Sequence, residues 1–139
     1  MVEITEEVVR LIMKEGYVVL VSTVDEKGVP NVSPRFVLDI IGKKELLFAD
    51  AFRDKTFSNI RKWPKVSVAV LDRKSLSGFQ LKGQAEKVTS KRLVDQAGAR
   101  LKEHGLNEEP LRVWAFSVEE VSPFIPRGVT KFSPVSPYR

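Results

Sequence analysis

Few residues in this chain of 139 have side chains suited to metal or covalent chemistry. It contains no cysteine and a single histidine, His104. The absence of cysteine excludes disulfides, thiolate catalysis, iron–sulfur clusters and thiolate zinc sites, and one histidine is too few for most transition-metal sites. We therefore expect no metal site, and any redox chemistry must come from a bound organic cofactor.

Motifs of the common nucleotide and hydrolase sites are also absent. Neither G-x-G-x-x-G nor G-x-x-x-x-G-K-[ST] occurs, which excludes a pyridine dinucleotide bound in a Rossmann domain. There is no serine nucleophile elbow, and with one histidine no hydrolytic triad is expected. The formal charge of +5, from 23 basic and 18 acidic residues, favours anionic partners, so phosphate-bearing ligands and nucleic acid both remain open.

Length and composition indicate one ordinary folded domain. Hydrophobic residues make up 42% of the chain and charged residues 29%, as in typical globular domains. No apolar run approaches the roughly 18 residues of a membrane helix, and the acidic start at residues 1–7 is unlike a secretory signal. We expect a cytoplasmic protein that does not interact with membranes.

The spacing of apolar residues predicts three helices and six strands. Helical spacing occurs over residues 4–15, over residues 54–63 before Pro64, and over residues 90–104 before Gly105. Alternation and β-branched residues predict the strands. They are residues 17–24, 31–41, 45–50, 65–71, 79–86 and 113–118.

These elements favour a mainly β fold, a six-stranded antiparallel, Greek-key-like barrel with an N-terminal helix and two inserted helices, because closing the sheet removes its edges. The first three strands are expected to form a meander. We expect the domain to cover residues 1–122. Residues 123–139 form a Pro-rich basic tail, expected to extend over the barrel or a partner subunit.

Four segments of the chain occur in an order and spacing that known proteins share. They read G-V-P-N-V-S-P-R-F from residue 28, L-L-F-A-D from 46, D-K-T-F-S-N-I-R-K-W-P-K-V-S-V from 54 and G-F-Q-L-K-G-Q-A-E from 78. Over about residues 8–118 the chain resembles the pyridoxamine 5′-phosphate oxidase-like FMN-binding split-barrel family, above all its short FMN-binding members. The resemblance implies a split barrel, an FMN cofactor and a homodimer with the flavin site at the subunit interface.

The resemblance assigns the FMN phosphate to the start of the second predicted helix. Matched to the family's K-T-x-x-N pattern, Lys55 would supply charge, Thr56 a hydroxyl and Asn59 a further side-chain contact. Free backbone N–H groups and the helix dipole favour an anion at such a position. Asp54, a carboxylate at the cap position, would compete with phosphate for the same N–H groups unless it faces solvent.

The flavin ring needs an apolar slot and backbone groups that pair with its pyrimidine edge. The resemblance places it against residues 33–36 and 48–50, and Pro34 within a strand is typical of an edge or a bulge. Arg35 would lie over the phosphate or near the electron-accepting end of the ring, and Gln80 would reach the cofactor from a later strand. The implied cofactor-binding residues are Ser33, Pro34, Arg35, Phe36, Phe48, Ala49, Asp50, Lys55, Thr56, Asn59 and Gln80.

The expected function is that of a flavin-dependent oxidoreductase or electron-transfer protein acting on a small molecule or a redox partner. No catalytic residue is assigned. The chain departs from the C-terminal pattern with which the full-length oxidases help bind pyridoxal phosphate, so pyridoxamine phosphate oxidation is not expected. The alternatives are deazaflavin F420 in place of FMN, an FMN store or sensor without turnover, and a non-enzymatic basic barrel that binds nucleic acid.

Overall fold

The computed structural model describes residues 2–50, 54–106 and 112–126, with Asp50 described by its backbone only. Within these residues none of the helices is long and apolar enough to span a bilayer. The helices are α1 (Glu6–Lys14), α2 (Lys55–Lys62) and α3 (Lys91–Glu103). The strands are β1 (Val18–Val24), β2 (Pro30–Phe36), β3 (Asp39–Ile41), β4 (Glu45–Asp50), β5 (Lys65–Leu71), β6 (Gly78–Lys87) and β7 (Arg112–Phe124).

The three predicted helices are present, and the strands match their predicted positions except in two places. The last strand continues to Phe124, six residues beyond its predicted end. It therefore includes the first two residues of the predicted tail, whose residues 127–139 lie outside the described part of the chain.

The second exception is the predicted strand over residues 31–41, which is two strands in the structure. The N–H of Val37 donates to the Tyr17 carbonyl beside β1 at 2.7 Å, whereas the N–H of Leu38 donates to the Leu47 carbonyl of β4 at 2.8 Å. The chain changes its pairing partner between two consecutive residues. Six predicted strands therefore become seven, and alternation does not reveal the break because Val37 and Leu38 are both apolar and buried.

All seven strands belong to one antiparallel sheet in the order β2-β1-β5-β6-β7-β4-β3. The expected pairing of residues 31–41 with both of their neighbours is found, but β2 and β3 form opposite edges of the sheet. Since only two residues connect these edges, the sheet must curl until they approach each other. The result is a curled antiparallel half-barrel with three helices, which confirms the mainly β split-barrel prediction.

The main hydrophobic core fills the inside of the curled sheet, where α1 and α2 close it. Ile12 of α1 and Ile60 of α2 are at most 2% exposed and pack with the inward residues of the strands. Along β4, Phe48 enters this core, whereas Ala49 enters a second cluster that packs against Ala97 of α3. The alternation of β4 thus separates an interior held by α1 and α2 from an outer layer covered by α3.

An irregularity between β6 and β7 depends on a glycine. The register of this pair shifts between Lys82 and Gly83. A Cβ placed on Gly83 would lie 1.9 Å from the carbonyl oxygen of Ser117, closer than any side chain permits. Only glycine allows the two backbones to approach in this way.

We expect Gly83→Ala to lower the free energy of unfolding by about 2 kcal/mol, because a methyl group forced into a packed site displaces the backbone. Urea denaturation followed by circular dichroism measures the change. Gln84→Ala is the matched control, since the neighbouring side chain is exposed and its removal should cost no more than about 0.5 kcal/mol. Equal stability of the two variants would contradict the close approach of β6 and β7.

Candidate functional site

A cluster of polar side chains lies where the inward face of β2 meets the start of α2. Residues on β2 alternate between the two faces of the sheet, so every second side chain points inward. Three members, Ser33, Arg35 and Thr56, are at most 4% exposed, so each needs hydrogen-bonding partners within the protein. The cluster, called the Arg35 cluster below, consists of Asn31, Ser33, Arg35, Asp54 and Thr56.

The central contact of the Arg35 cluster is an ion pair between Arg35 and Asp54. Arg35 Nη2 lies 3.0 Å from Oδ1 of Asp54, and Nη1 lies 3.3 Å from Oδ2. The Ser33 hydroxyl donates to Oδ2 at 2.7 Å, and Arg35 Nη1 donates to the Pro34 carbonyl at 2.8 Å. The Arg35 side chain is 1% exposed and that of Asp54 is 33% exposed. The pair is therefore bidentate, with its cation buried and its anion at the rim.

Asp54 also begins α2. Its Oδ1 accepts from the Thr56 N–H at 2.9 Å, and its backbone is extended, as is usual for an N-cap residue. The predicted cap is thus confirmed, and although a third of the Asp54 side chain is exposed, its carboxylate contacts the cluster. A buried guanidinium requires an anion, and Asp54 provides one.

The surroundings of Asp54 stabilise its ionised form. Partial burial by itself would raise the pKa, but hydrogen bonds from Arg35, Ser33 and Thr56 outweigh it and hold the pKa of Asp54 far below its ordinary value of 3.8. The carboxylate is therefore charged at neutral pH.

The three predicted phosphate ligands of α2 point in different directions. Thr56 belongs to the Arg35 cluster, where its Oγ1 accepts from Asn31 Nδ2 at 3.3 Å. Asn59 is 5% exposed and donates to the Thr23 hydroxyl of β1 at 3.0 Å, so it attaches the helix to the sheet. Lys55 is exposed and borders a cavity of about 270 Å³ beside the β1–β2 turn. Of the three, only Thr56 is brought into the cluster.

The segments predicted to hold the ring lie on β2 and β4, which approach each other without pairing. Among the described residues β2 pairs with β1 alone, so its other side is a sheet edge, and Pro34 lies on this strand as edge prolines do. β3 covers only residues 45–47 of β4. Because the Leu47 carbonyl faces β3, alternation directs the backbone of Ala49 to the same side, beyond the end of β3. Backbone groups of β2 and of Ala49 thus face away from β1 and β7, the strands with which they pair.

The side chains of these segments are engaged in packing. Phe48 is 2% exposed in the main core, Ala49 lies in the second cluster, and the Phe36 ring stacks on His104 with centroids 4.5 Å apart. For Asp50 only the backbone is described, and it pairs with Arg112. Phe36, Phe48 and Ala49 therefore offer backbone groups, not side chains, to a ligand.

Gln80 lies far from the Arg35 cluster. Its register places it in one outward row with Leu20 and Pro34, whereas Arg35 faces inward. β1 and β5 separate β2 from β6, a distance of about 14 Å at about 4.8 Å per strand. Gln80 Nε2 donates to the Ser67 hydroxyl at 3.0 Å. Within one chain, Gln80 and Arg35 do not converge on one group.

Comparison with known proteins gives the family. The sequence profile of the pyridoxamine 5′-phosphate oxidase family matches residues 4–124. The chain belongs to this family. The resemblance drawn from the four sequence segments is thereby confirmed.

Solved structures share the family fold. HupZ of Group A Streptococcus is 28% identical, with a TM-score of 0.73 over 87% of this chain and 92% of that one. An FMN-binding protein from Syntrophomonas wolfei subsp. wolfei has a TM-score of 0.75 at 24% identity, over 85% of this chain and 84% of that one. Both align with most of the half-barrel.

A curated relative covers less of the chain. An uncharacterized protein of Methanocaldococcus jannaschii is 34% identical over 87 residues, which are 61% of this chain. The match spans 56% of that relative's own length. Its similarity therefore concerns part of each protein.

Sequence reasoning missed three polar residues of this region: Thr23, Asn31 and the acid that pairs with Arg35. A signal for Asn31 was available, because residues 31, 33 and 35 alternate and so share one face. A buried arginine also implies an acid nearby, although no pattern says which one. In the part of the chain that the structure describes, no three His, Asp or Glu side chains group as metal ligands.

The ion pair predicts an acid-dependent loss of stability. The pKa of Asp54 is lower in the folded chain than in the unfolded chain, so its contribution is present above the unfolded value and is lost as the pH falls toward the folded value. We expect the difference in unfolding free energy between the parent and Asp54→Asn to shrink from about pH 5 downward. Urea denaturation from neutral to acidic pH measures it.

The matched control is Glu26→Gln, which removes one member of an exposed pair with Lys62 beside the same helix. Exposed pairs contribute little to stability, so its curve should follow the parent curve at every pH. Parallel curves for the parent and Asp54→Asn would contradict a stabilising Asp54 carboxylate.

Proposed function

We propose that this chain is a flavoprotein that binds FMN, with the phosphate at the Arg35 cluster and the ring at the neighbouring edges of β2 and β4. The observation that carries the proposal is the convergence of a buried guanidinium, a hydroxyl and a helix-start N–H on one point beside two strand edges. Such donors suit a phosphate, and free strand edges suit the pyrimidine edge of a flavin. Membership of the pyridoxamine 5′-phosphate oxidase family supports the same assignment.

The contacts of Asp54 indicate which kind of ligand these donors accept. Arg35 Nη1 and Nη2, the Ser33 hydroxyl and the Thr56 N–H all reach the carboxylate of Asp54. The cluster therefore accepts an oxyanion, and a phosphate oxygen fits the same donors. When bound, FMN would supply hydride or single-electron transfer to a small molecule or redox partner, and the chain's own residues would bind and orient it.

A second copy of the chain completes the proposed site. The outward face of β1 and β2 is apolar, with Val18 39%, Leu20 47% and Val32 61% exposed. Beside it lies a largely apolar groove of about 580 Å³ that also includes Leu71. Such a face is typical of a subunit interface. Gln80 lies in the same outward row as Leu20, so in a homodimer it would approach the flavin of the partner.

We expect Arg35→Lys and Ser33→Ala each to weaken FMN binding about tenfold, because a hydrogen bond to a charged group contributes roughly 1.5–3 kcal/mol. Riboflavin, which lacks the phosphate, should bind equally to parent and variants. Quenching of flavin fluorescence on titration measures both affinities. Lys62→Gln, which removes an exposed cation from the same helix, is the control. If both variants hold FMN as tightly as the parent, the phosphate lies elsewhere.

The chromophore itself decides between the cofactors. We expect the protein to turn yellow when FMN is added, and equilibrium dialysis against FMN and against F420 shows which of the two it binds. A colourless protein that gains no colour with FMN and binds single-stranded nucleic acid with a steep salt dependence would instead favour the nucleic-acid alternative.

If the site is shared between subunits, two variant chains that each lack one site residue should complement each other in a heterodimer. Gln80→Ala should weaken FMN binding about fivefold, the effect of one hydrogen bond. A heterodimer of Arg35→Lys and Gln80→Ala chains contains one site with both native residues and one with neither. We therefore expect each heterodimer to have one site with the parent's affinity for FMN, measured on dimers isolated with two affinity tags. If no such site is found, Gln80 does not act across the interface. As a control, Leu20→Asp should prevent dimerisation and so abolish that site.

A further inference from the structure

The phosphate donors of the proposed site already hold an anion that belongs to the chain. Oδ1 of Asp54 accepts from Arg35 Nη2 at 3.0 Å and from the Thr56 N–H at 2.9 Å. Oδ2 accepts from the Ser33 hydroxyl at 2.7 Å. A phosphate that used these donors would have to replace the carboxylate, because two anions in contact repel each other.

The two partners of the ion pair differ in how easily they can leave. Arg35 is 1% exposed and its guanidinium is enclosed by the cluster, whereas the Asp54 side chain is 33% exposed. Asp54 lies at the start of α2, where rotation of one side chain carries the carboxylate toward solvent. The carboxylate is therefore the partner that can be displaced, and the guanidinium stays in place to receive another anion.

Protonation does not remove the competition at neutral pH. Hydrogen bonds from the cluster outweigh partial burial and lower the pKa of Asp54, so the carboxylate keeps its charge. An incoming phosphate exchanges with a charged group and gains only the difference between the two sets of contacts.

This inference rests on the proposed flavin site. We propose that Asp54 is an internal competitor for the phosphate of the flavin and makes FMN an exchangeable ligand of this chain instead of a permanently bound cofactor. Its role is to determine specificity: it cancels most of the advantage that a phosphate would give FMN over riboflavin. The parent protein therefore binds FMN only modestly more tightly than riboflavin and loses both on gel filtration.

The test is Asp54→Asn, which removes the charge and keeps a residue that caps helices well. FMN should bind the variant at least about tenfold more tightly than the parent, since the charged carboxylate of Asp54 no longer competes for Arg35 and Ser33. Riboflavin affinity should stay unchanged, and FMN should remain bound through gel filtration. Glu26→Gln, the control for the loss of one negative charge beside α2, should behave as the parent does.

Inorganic phosphate tests the competition without a flavin. Removing one partner of a buried pair is destabilising, so Asp54→Asn should unfold at a lower temperature than the parent in chloride. Phosphate at the same ionic strength should raise its unfolding temperature and leave that of the parent unchanged. Asp54→Ser, which also caps a helix, serves the same purpose if the Asn variant does not fold.

The outcomes separate the two proposals. If FMN and riboflavin bind the parent but Asp54→Asn gains no preference for FMN, the competitor role is wrong and flavin binding stands. If neither flavin binds the parent or any variant, the proposed function is wrong. The unfolding experiment with inorganic phosphate then tests by itself whether Asp54 competes with an anion at this cluster. Equal stabilisation of parent and variant by phosphate would overturn that role.

Discussion

The fold depends on a connection of two residues. Val37 and Leu38 are all that lies between β2 and β3, the outermost strands of a seven-stranded sheet. A flat sheet would separate these edges by six strand spacings, about 29 Å, whereas the backbone from residue 36 to residue 39 reaches at most about 11 Å. The sheet must therefore curl, and the consecutive hydrogen bonds of Val37 toward β1 and Leu38 toward β4 mark where its two edges are joined.

The curl also positions the candidate site. It brings β2 beside the part of β4 that β3 does not cover, and it directs alternate side chains of β2 into the interior next to the start of α2. Arg35 is thereby buried, and a buried guanidinium without an anion would cost more than its packing returns. Asp54 meets this requirement and caps α2 with the same carboxylate, so one side chain links the helix, the edge strand and the charge balance of the site.

The two faces of the sheet have different roles. The inward face is filled by the main core and by the polar contacts of the Arg35 cluster. The outward face of the sheet leaves Leu20 of β1 and Val32 of β2 exposed and also carries Gln80 of β6. The contacts of the interior are thus made within one chain, whereas the outward face of β1 and β2 keeps apolar side chains exposed.

Local pattern was sufficient for most elements of the fold. β5 was predicted residue for residue, because its alternation is regular and its two ends are marked by Pro64 and Asp72. The three helices were predicted within two residues at each end from apolar spacing and capping residues. These features are encoded by neighbours in sequence, which is why a single chain reveals them.

The sequence by itself determined which residues form strands and helices and which of their faces are apolar, and its motifs indicated the family. Tertiary structure decided the division of residues 31–41, the strands that form the edges, and the partner of Arg35. The physical reason is that a period of two specifies the face of a strand and not its neighbour, so pairing depends on contacts across the chain. Arg35 and Asp54 are 19 residues apart, and only the closing of the sheet brings their charges together.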